Sequence, residues 1–279
     1  MGQRPIAPKI GAMLIAQISD THVVPTACEK GKLMRTEEHL RTAVAHLLAL
    51  RPRPDVVLIS GDLVEDGTRE EYELFAELLA PLKAEIPIYL APGNHDEREA
   101  MRSVLRDHGY DYLPTEGPLQ YAVDLGELRL LSLDTVVPGE PGGYLCEERL
   151  AWLDAQLAKD ARPTLVMQHH PPFLTGLVRM DGMGLSNVDD EAKVIAKHSN
   201  VVRVLSGHLH RSISSAFSGT IAMTAPSCAH AVELDLQTEG RLAVVQEPPA
   251  ASVHLWKDDN LVSHTSYIGD YGPPYVIAE

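Results

Sequence analysis

Short apolar runs alternate with amphipathic stretches over the first 210 residues and then give way to short strands alone. Met13 to Ser19 is an apolar run of strand length. Thr36 to Leu50 carries Leu40, Val44, Leu47 and Leu48 on one helical face, and Pro52 and Pro54 close it. Asp55 to Ser60 is the second strand. Thr68 and Glu71 form a capping box opening a helix that buries Tyr72, Phe75, Leu78 and Leu79, with Pro81 at its end. Ile86 to Ala91 is the third strand, and a helix spans about Glu97 to His108. Tyr121 to Leu125 and Leu128 to Leu133 predict a hairpin around Gly126. A helix near Glu147 to Ala158, strands at Thr164 to Gln168 and Val201 to Ser206, and a helix near Asp189 to His198 follow the earlier alternation. Beyond His210 the pattern predicts strands near 212–217, 220–224, 231–236, 241–246, 252–257 and 261–267.

Strand–helix alternation predicts a layered α/β domain, and the hairpins predict mixed rather than purely parallel sheets. Residues 1–12 read as a loose extension and 13–250 as the main domain. Residues 251–279 read as a C-terminal hairpin and tail, with Asp258, Asp259 and Asn260 at the turn. The stretch 171–187 contains Gly, Met180 and Met183 without clear periodicity, and a loop of that length in a compact domain is usually functional.

Thirty-nine acidic against twenty-four basic residues give a formal charge of −15, which excludes a long nucleic acid as the natural partner. A small phosphate ester is compatible, because bound divalent ions set the local field. No window approaches the ~20 apolar residues of a membrane span, and the first residues lack an apolar signal core. Cys28, Cys146 and Cys228 are too few and scattered for a disulfide framework, so a reducing cytoplasm is expected.

Five segments carry metal-ligand chemistry: Asp20-Thr21-His22, Gly61-Asp62, Gly93-Asn94-His95-Asp96, His169-His170 and Gly207-His208-Leu209-His210. Each sits where an expected strand ends, and open α/β sheets bind ligands outside the carboxyl ends of their strands. Asp20 and His22, like His208 and His210, are spaced to leave one face of an extended segment. Glycines 61, 93 and 207 permit tight turns and close backbone approach. Mixed oxygen and imidazole donors suit zinc, iron or manganese.

Taken in order, the five blocks resemble the pattern D-x-H, G-D, G-N-H-D/E, H and G-H-x-H of the calcineurin-like metallophosphoesterase superfamily, across residues 20–210. The resemblance implies a four-layer αββα sandwich with two mixed sheets, here with a C-terminal strand extension. It assigns one metal ion to Asp20, His22, Asp62 and His210, and a second to Asp62, Asn94, His169 and His208, with Asp62 bridging. It implies two divalent or mixed-valence ions, a hydroxide between them as nucleophile, and His95 contacting phosphate and protonating the leaving alkoxide. Gly61-Asp62-Leu63-Val64-Glu65-Asp66-Gly67 departs from the G-D-x-V-D-R-G of Ser/Thr protein phosphatases, and the phosphate-clamping arginine is missing from its place. The run His169 to Pro172 and the stretch Gly31-Lys32-Leu33 are similar to class III cyclic nucleotide phosphodiesterases and bacterial glycerophosphodiesterases.

The expected activity is therefore hydrolysis of small phosphodiesters, cyclic nucleotides slightly ahead of glycerophosphodiesters. A phosphomonoesterase and a catalytically silent scaffold are the alternatives. A homo-oligomer is expected, with the segment around His254 as a possible subunit contact. Asp96 and His170 are candidates to support the ligands through hydrogen bonds, whereas Asp66 reads first as a solvated turn and second as such a support. His230, His254 and His264 are read as structural, and Met180 and Met183 as capping substrate or packing between subunits.

Overall fold

The computed structural model describes residues 12–237, 239–273 and 275–277. Of the expected N-terminal extension, residues 1–11 lie outside that range.

The first half builds one sheet and its helices. Strands β1 (Met13–Ile18), β2 (Val56–Ser60) and β3 (Ile88–Ala91) are fully or nearly fully buried and pair in parallel. Between and after them run helices α1 (Glu29–Met34), α2 (Thr36–Ala49), α3 (Arg69–Lys83) and α4 (Arg98–Asp107). Both arms of the capping box at Thr68 and Glu71 are made, which holds the start of α3. Pro81 lies inside the last turn of α3, which continues to Lys83, rather than terminating it. The short helix α1 was not expected; the Cys28 sulfur, accepting from the Gly31 amide, caps it.

The second half adds β4 (Tyr121–Asp124), β5 (Arg129–Ser132), α5 (Glu147–Lys159), β6 (Thr164–Met167), α6 (Val178–Asp181), α7 (Val188–Ile195), β7 (Val201–Ser206), β8 (Ile213–Phe217) and β9 (Thr220–Thr224). Their sheet runs β4-β5-β6-β7-β9-β8, parallel at its centre and closed by antiparallel edges. Side chains alternate along these strands. Leu130, Leu165, Met167 and Leu205 join the first sheet's core, whereas Leu131, Val166 and Val204 pack with Leu153, Leu157 and Ile195 of the helices. Two sheets face each other between two helical layers, which is the expected αββα sandwich.

Three expectations need correction. The strands expected over 231–236 and 241–246 shrink to β10 (Ala231–Val232) and β11 (Val244–Val245). Beyond them the Asp235 carboxylate accepts the amides of Gln237 and Arg241, and Arg241 pairs with Glu233. Such local side-chain bonds replace ladder pairing. The stretch 171–187 is not structureless: it contains α6, closed by Asp181, whose carboxylate accepts from Thr175 and Gly176. Met180 there packs with Leu177, Leu209 and Val232 in a small core of the same chain, with Met183 against it, which accounts for both methionines without a second subunit.

The final hairpin, β12 (Ala250–Lys257) and β13 (Asn260–Tyr267), turns through Asp258 and Asp259, both at positive φ. It is an edge of the first sheet, in the order β13-β12-β1-β2-β3. His254 is buried opposite Ile15, donating and accepting between Ser263 Oγ and Gln17 Oε1.

Candidate metal centre

Five of the parallel strands, β1, β2, β3, β6 and β7, deliver their carboxyl ends to one rim. Asp20 and His22 follow β1, Asp62 follows β2, Asn94 and His95 follow β3, His169 follows β6, and His208 and His210 follow β7. The structure brings all eight together.

The local backbone differs from the extended segments expected. Asp20, His22, Asp62, His208 and His210 all lie in the left-handed region, with φ between 42° and 69°. Non-glycine residues rarely adopt it, and surrounding bonds must impose it. Here the Asp20 amide donates to Gly61 O, the His22 amide to Asp62 O, and the Thr21 hydroxyl to Leu63 O. Side chains thus reach a common rim through alternating backbone conformations, not through a pleat.

Two glycines make room. A Cβ on Gly61, at φ +96°, would stand 2.4 Å from His169 Nδ1, and one on Gly93 would stand 2.2 Å from Asp62 Oδ1. Asp96 secures the Gly93 turn: its buried carboxylate accepts from the Gly93 and Leu63 amides and from the Tyr72 hydroxyl. Burial and the neighbouring Asp62 charge raise its pKa to about 6.

Backbone carbonyls only accept, so they fix the tautomer of each histidine bonded to them. His169 Nδ1 donates to Ser60 O at 2.9 Å, and His210 Nδ1 to His230 O at 3.0 Å. His22 Nδ1 donates to Glu65 Oε2 at 2.7 Å. The inner nitrogens then point at one another and at acceptors. His22 Nε2 is 3.2 Å from His210 Nε2, and His169 Nε2 is 3.2 Å from His208 Nδ1 and 3.0 Å from Asn94 Oδ1. Asp62 Oδ2 lies between, 3.6 Å from His22 Nε2 and 3.3 Å from His169 Nε2. His210 Nε2 is 3.6 Å from Asp20 Oδ1. Asp20 Oδ2 and His208 Nε2 are buried without a partner.

Converging lone pairs of this kind could hold a cation. Burial pushes His210 down to about 4 and His208 well below its ordinary value. Burial also opposes charge on His169, yet the Asp62 and Asp20 carboxylates outweigh it and raise that imidazole to about 9. The field at His169 Nε2 thus favours positive charge, supplied by a proton or by a metal ion that displaces it. Ligand atoms of Asp20, Asp62 and His169, and of His22, Asp62 and His95, each lie within 4.8 Å of one another. Asp62 is common to both groups, and each could hold a metal ion.

His95 differs from its neighbours. Its side chain is 36% exposed, its Nδ1 donates to Glu65 O at 2.7 Å, and its amide donates to Asp62 Oδ1. It lines a cleft of about 360 Å³ with Asn94, Glu97, Arg98, Val136 and Pro138. A second cleft of about 210 Å³ adjoins His210 and His230 and includes Thr265 and Tyr267 of the final hairpin.

Two residues escape a reading of the sequence. His230, taken as structural, places its ring 4.7 Å from that of His210 and 5.5 Å from that of His22, tilted to both. It lies between β9 and β10, farther beyond a strand end than any of the ligand residues, so its position carried no signal. Glu65, which the sequence did not single out, places its carboxylate on His22, whereas Asp66 is exposed and pairs with Lys30, as its reading as a solvated turn expects. His170 packs beside His169 and His208, its ring centroid 4.9 Å and 4.7 Å from theirs; its Nδ1 accepts from Thr135 Oγ1 and its Nε2 donates to Pro141 O, with its pKa lowered to about 3 by burial and by His169.

A family profile described as calcineurin-like phosphoesterase matches residues 13–212. A probable glycerophosphodiester phosphodiesterase of Arcobacter nitrofigilis is 35% identical, over 94% of this chain and 96% of its own length. The 3′,5′-cyclic adenosine monophosphate phosphodiesterase of Escherichia coli K12 is 36% identical, over 76% of this chain and 75% of its own. Among solved structures, a dimetal phosphatase from Danio rerio shares the fold, with a TM-score of 0.60 and 15% identity over 93% of this chain and all of the other.

Proposed function

This chain belongs to the calcineurin-like phosphoesterase family, and from that membership we propose that it hydrolyses small phosphodiesters with two bound metal ions. The observation that carries the reading is Asp62 Oδ2, set between the inner nitrogens of His22 and His169 in a buried cluster of lone pairs.

Asp20, His22, Asp62 and His210 would hold one ion, and Asp62, Asn94, His169 and His208 the other, with iron, manganese or zinc matching the donors. When bound, the pair supplies Lewis-acid polarisation of the phosphoryl group and a water made nucleophilic near neutral pH. The chain's own residues do the rest. Asp62 balances charge between the two positions. Donation from His95 Nδ1 to Glu65 O fixes that ring and leaves Nε2 facing outward; with a second proton taken up on Nε2, the ring would give that proton to the departing alkoxide oxygen and return to the neutral form. Its exposure lets solvent return the proton. The cleft beside His95 is in the size range of small-molecule sites and suits one arm of a diester.

Relatives named for glycerophosphodiesters and for cyclic nucleotides support both substrate classes. The reading extends to a cytoplasmic homo-oligomer. Among the described residues the three cysteines are unpaired and no helix is long and apolar enough to cross a membrane, while Tyr267, Tyr271, Val276 and Ile277 are exposed.

A substrate panel on manganese-loaded protein tests the proposal, with 3′,5′- and 2′,3′-cyclic nucleotides, glycerophosphodiesters and monoesters. Turnover of diesters above monoesters, abolished by chelation, is expected. Monoester turnover alone, or activity that survives chelation, would overturn it.

A further inference from the structure

Residue 65 holds two histidines of different duty. Its carboxylate Oε2 accepts from His22 Nδ1 at 2.7 Å, and its backbone carbonyl accepts from His95 Nδ1 at 2.7 Å. Its other oxygen lies 3.2 Å from Lys30 Nζ, which also reaches Asp66 Oδ1 at 2.7 Å. Lys30 sits on α1, the first helix after the first ligand segment.

This arrangement sets His22 apart. His169 and His210 give their outer protons to neutral carbonyls, and His208 Nε2 has no partner. His22 alone among these four gives its outer proton to a full negative charge. A carboxylate acceptor fixes the tautomer more firmly than a carbonyl and makes the inner nitrogen a stronger donor to a metal. Building on the two-ion reading above, we propose that Glu65, itself held by Lys30, is a positioning residue that orients His22 and strengthens its grip on the ion shared with Asp20, Asp62 and His210.

The substitutions separate charge, hydrogen bond and packing. Glu65→Gln keeps an acceptor for His22 Nδ1 and removes the charge. Glu65→Ala removes both, and Lys30→Ala releases the carboxylate. All three leave the backbone carbonyl that holds His95. Metal binding is read by equilibrium dialysis with elemental analysis, using manganese alone. For Glu65→Ala, one of the two ions should bind about 10- to 100-fold more weakly, the size expected when a ligand's outer partner is lost. Glu65→Gln, which keeps the acceptor and loses the charge, should recover part of that loss, and Lys30→Ala should lie between the glutamine variant and the parent. A merely structural role would weaken both ions together and would not be rescued by glutamine. Should Glu65→Ala not fold, the glutamine and Lys30 variants carry the test. Unchanged affinity for both ions in a folded variant overturns the inference and leaves the two-ion reading intact. A parent protein that takes up no ions overturns both.

Discussion

Glu191 is a carboxyl group kept neutral by burial, and removing its titration should straighten the pH dependence of stability. It lies on α7, fully buried, and its Oε2 accepts from Gln168 Nε2 at 3.1 Å. The same Gln168 amide donates to His170 O at 2.8 Å, so Glu191 supports the turn that presents His169. Burial raises the Glu191 pKa from 4.5 to about 8, against the lowering effect of the Gln168 bond. In the unfolded chain the group ionises above its ordinary value, while in the folded chain it keeps its proton until about 8. Between those values the unfolded state binds fewer protons, so stability falls as pH rises. Each pH decade in that window costs about 1.4 kcal/mol, and moving from about pH 5.5 to about pH 8.5 removes about 3 kcal/mol. Glu191→Gln keeps an acceptor for Gln168 and adds a donor beside the unpartnered Gln168 Oε1. Guanidinium unfolding of parent and variant at those two pH values, with matched metal content, gives the difference directly. The variant should gain about 3 kcal/mol on the parent at the higher pH relative to the lower. Equal losses in both proteins would refute the picture of a neutral buried acid.

The acid side has its counterpart in His254, which burial lowers from 6.5 to about 3. Its stabilisation is present above the unfolded value and is lost as pH falls. Between about pH 6.5 and about pH 4.5 this amounts to about 2 kcal/mol, and His254→Gln should remove that slope in the same unfolding assay. His95→Ala should keep both ions by elemental analysis and lose about 10²- to 10⁴-fold in kcat for diesters with poor leaving groups. Loss of an ion instead would make His95 a ligand. Gly93→Ala places a methyl group against Asp62 Oδ1 without the strain of a positive φ. Titration calorimetry with manganese should show weakened binding, and unchanged binding would show that the turn yields.

Much of the centre was legible because it is local. Each ligand block lies at the end of an apolar run, and the glycines at 61 and 93 stand against a ligand side chain as close approach demands. The capping box at Thr68 and the turn at Asp258 and Asp259 likewise depend on a few adjacent residues. What escaped is long-range. The first sheet accepts β12 beside β1, a pairing of Ile15 with His254 that no local pattern encodes. The left-handed backbone at Asp20 and His22 follows from bonds to residues 61–63, across a gap in sequence. Glu65 rather than Asp66 faces His22 for the same reason: the turn after Asp62 decides which carboxylate points inward, and adjacent acidic residues look alike in a sequence. The stretch 171–187 lacked periodicity because its order comes from one carboxylate, Asp181, and from a small core shared with Leu209.

The central claim is a pair of ions sharing one aspartate, and anomalous diffraction from manganese-soaked crystals tests it most directly. Two peaks about 3.5–4 Å apart are expected, both in contact with Asp62, one flanked by His22 and His210 and the other by His169 and His208. A single peak, or two that do not share Asp62, would contradict it.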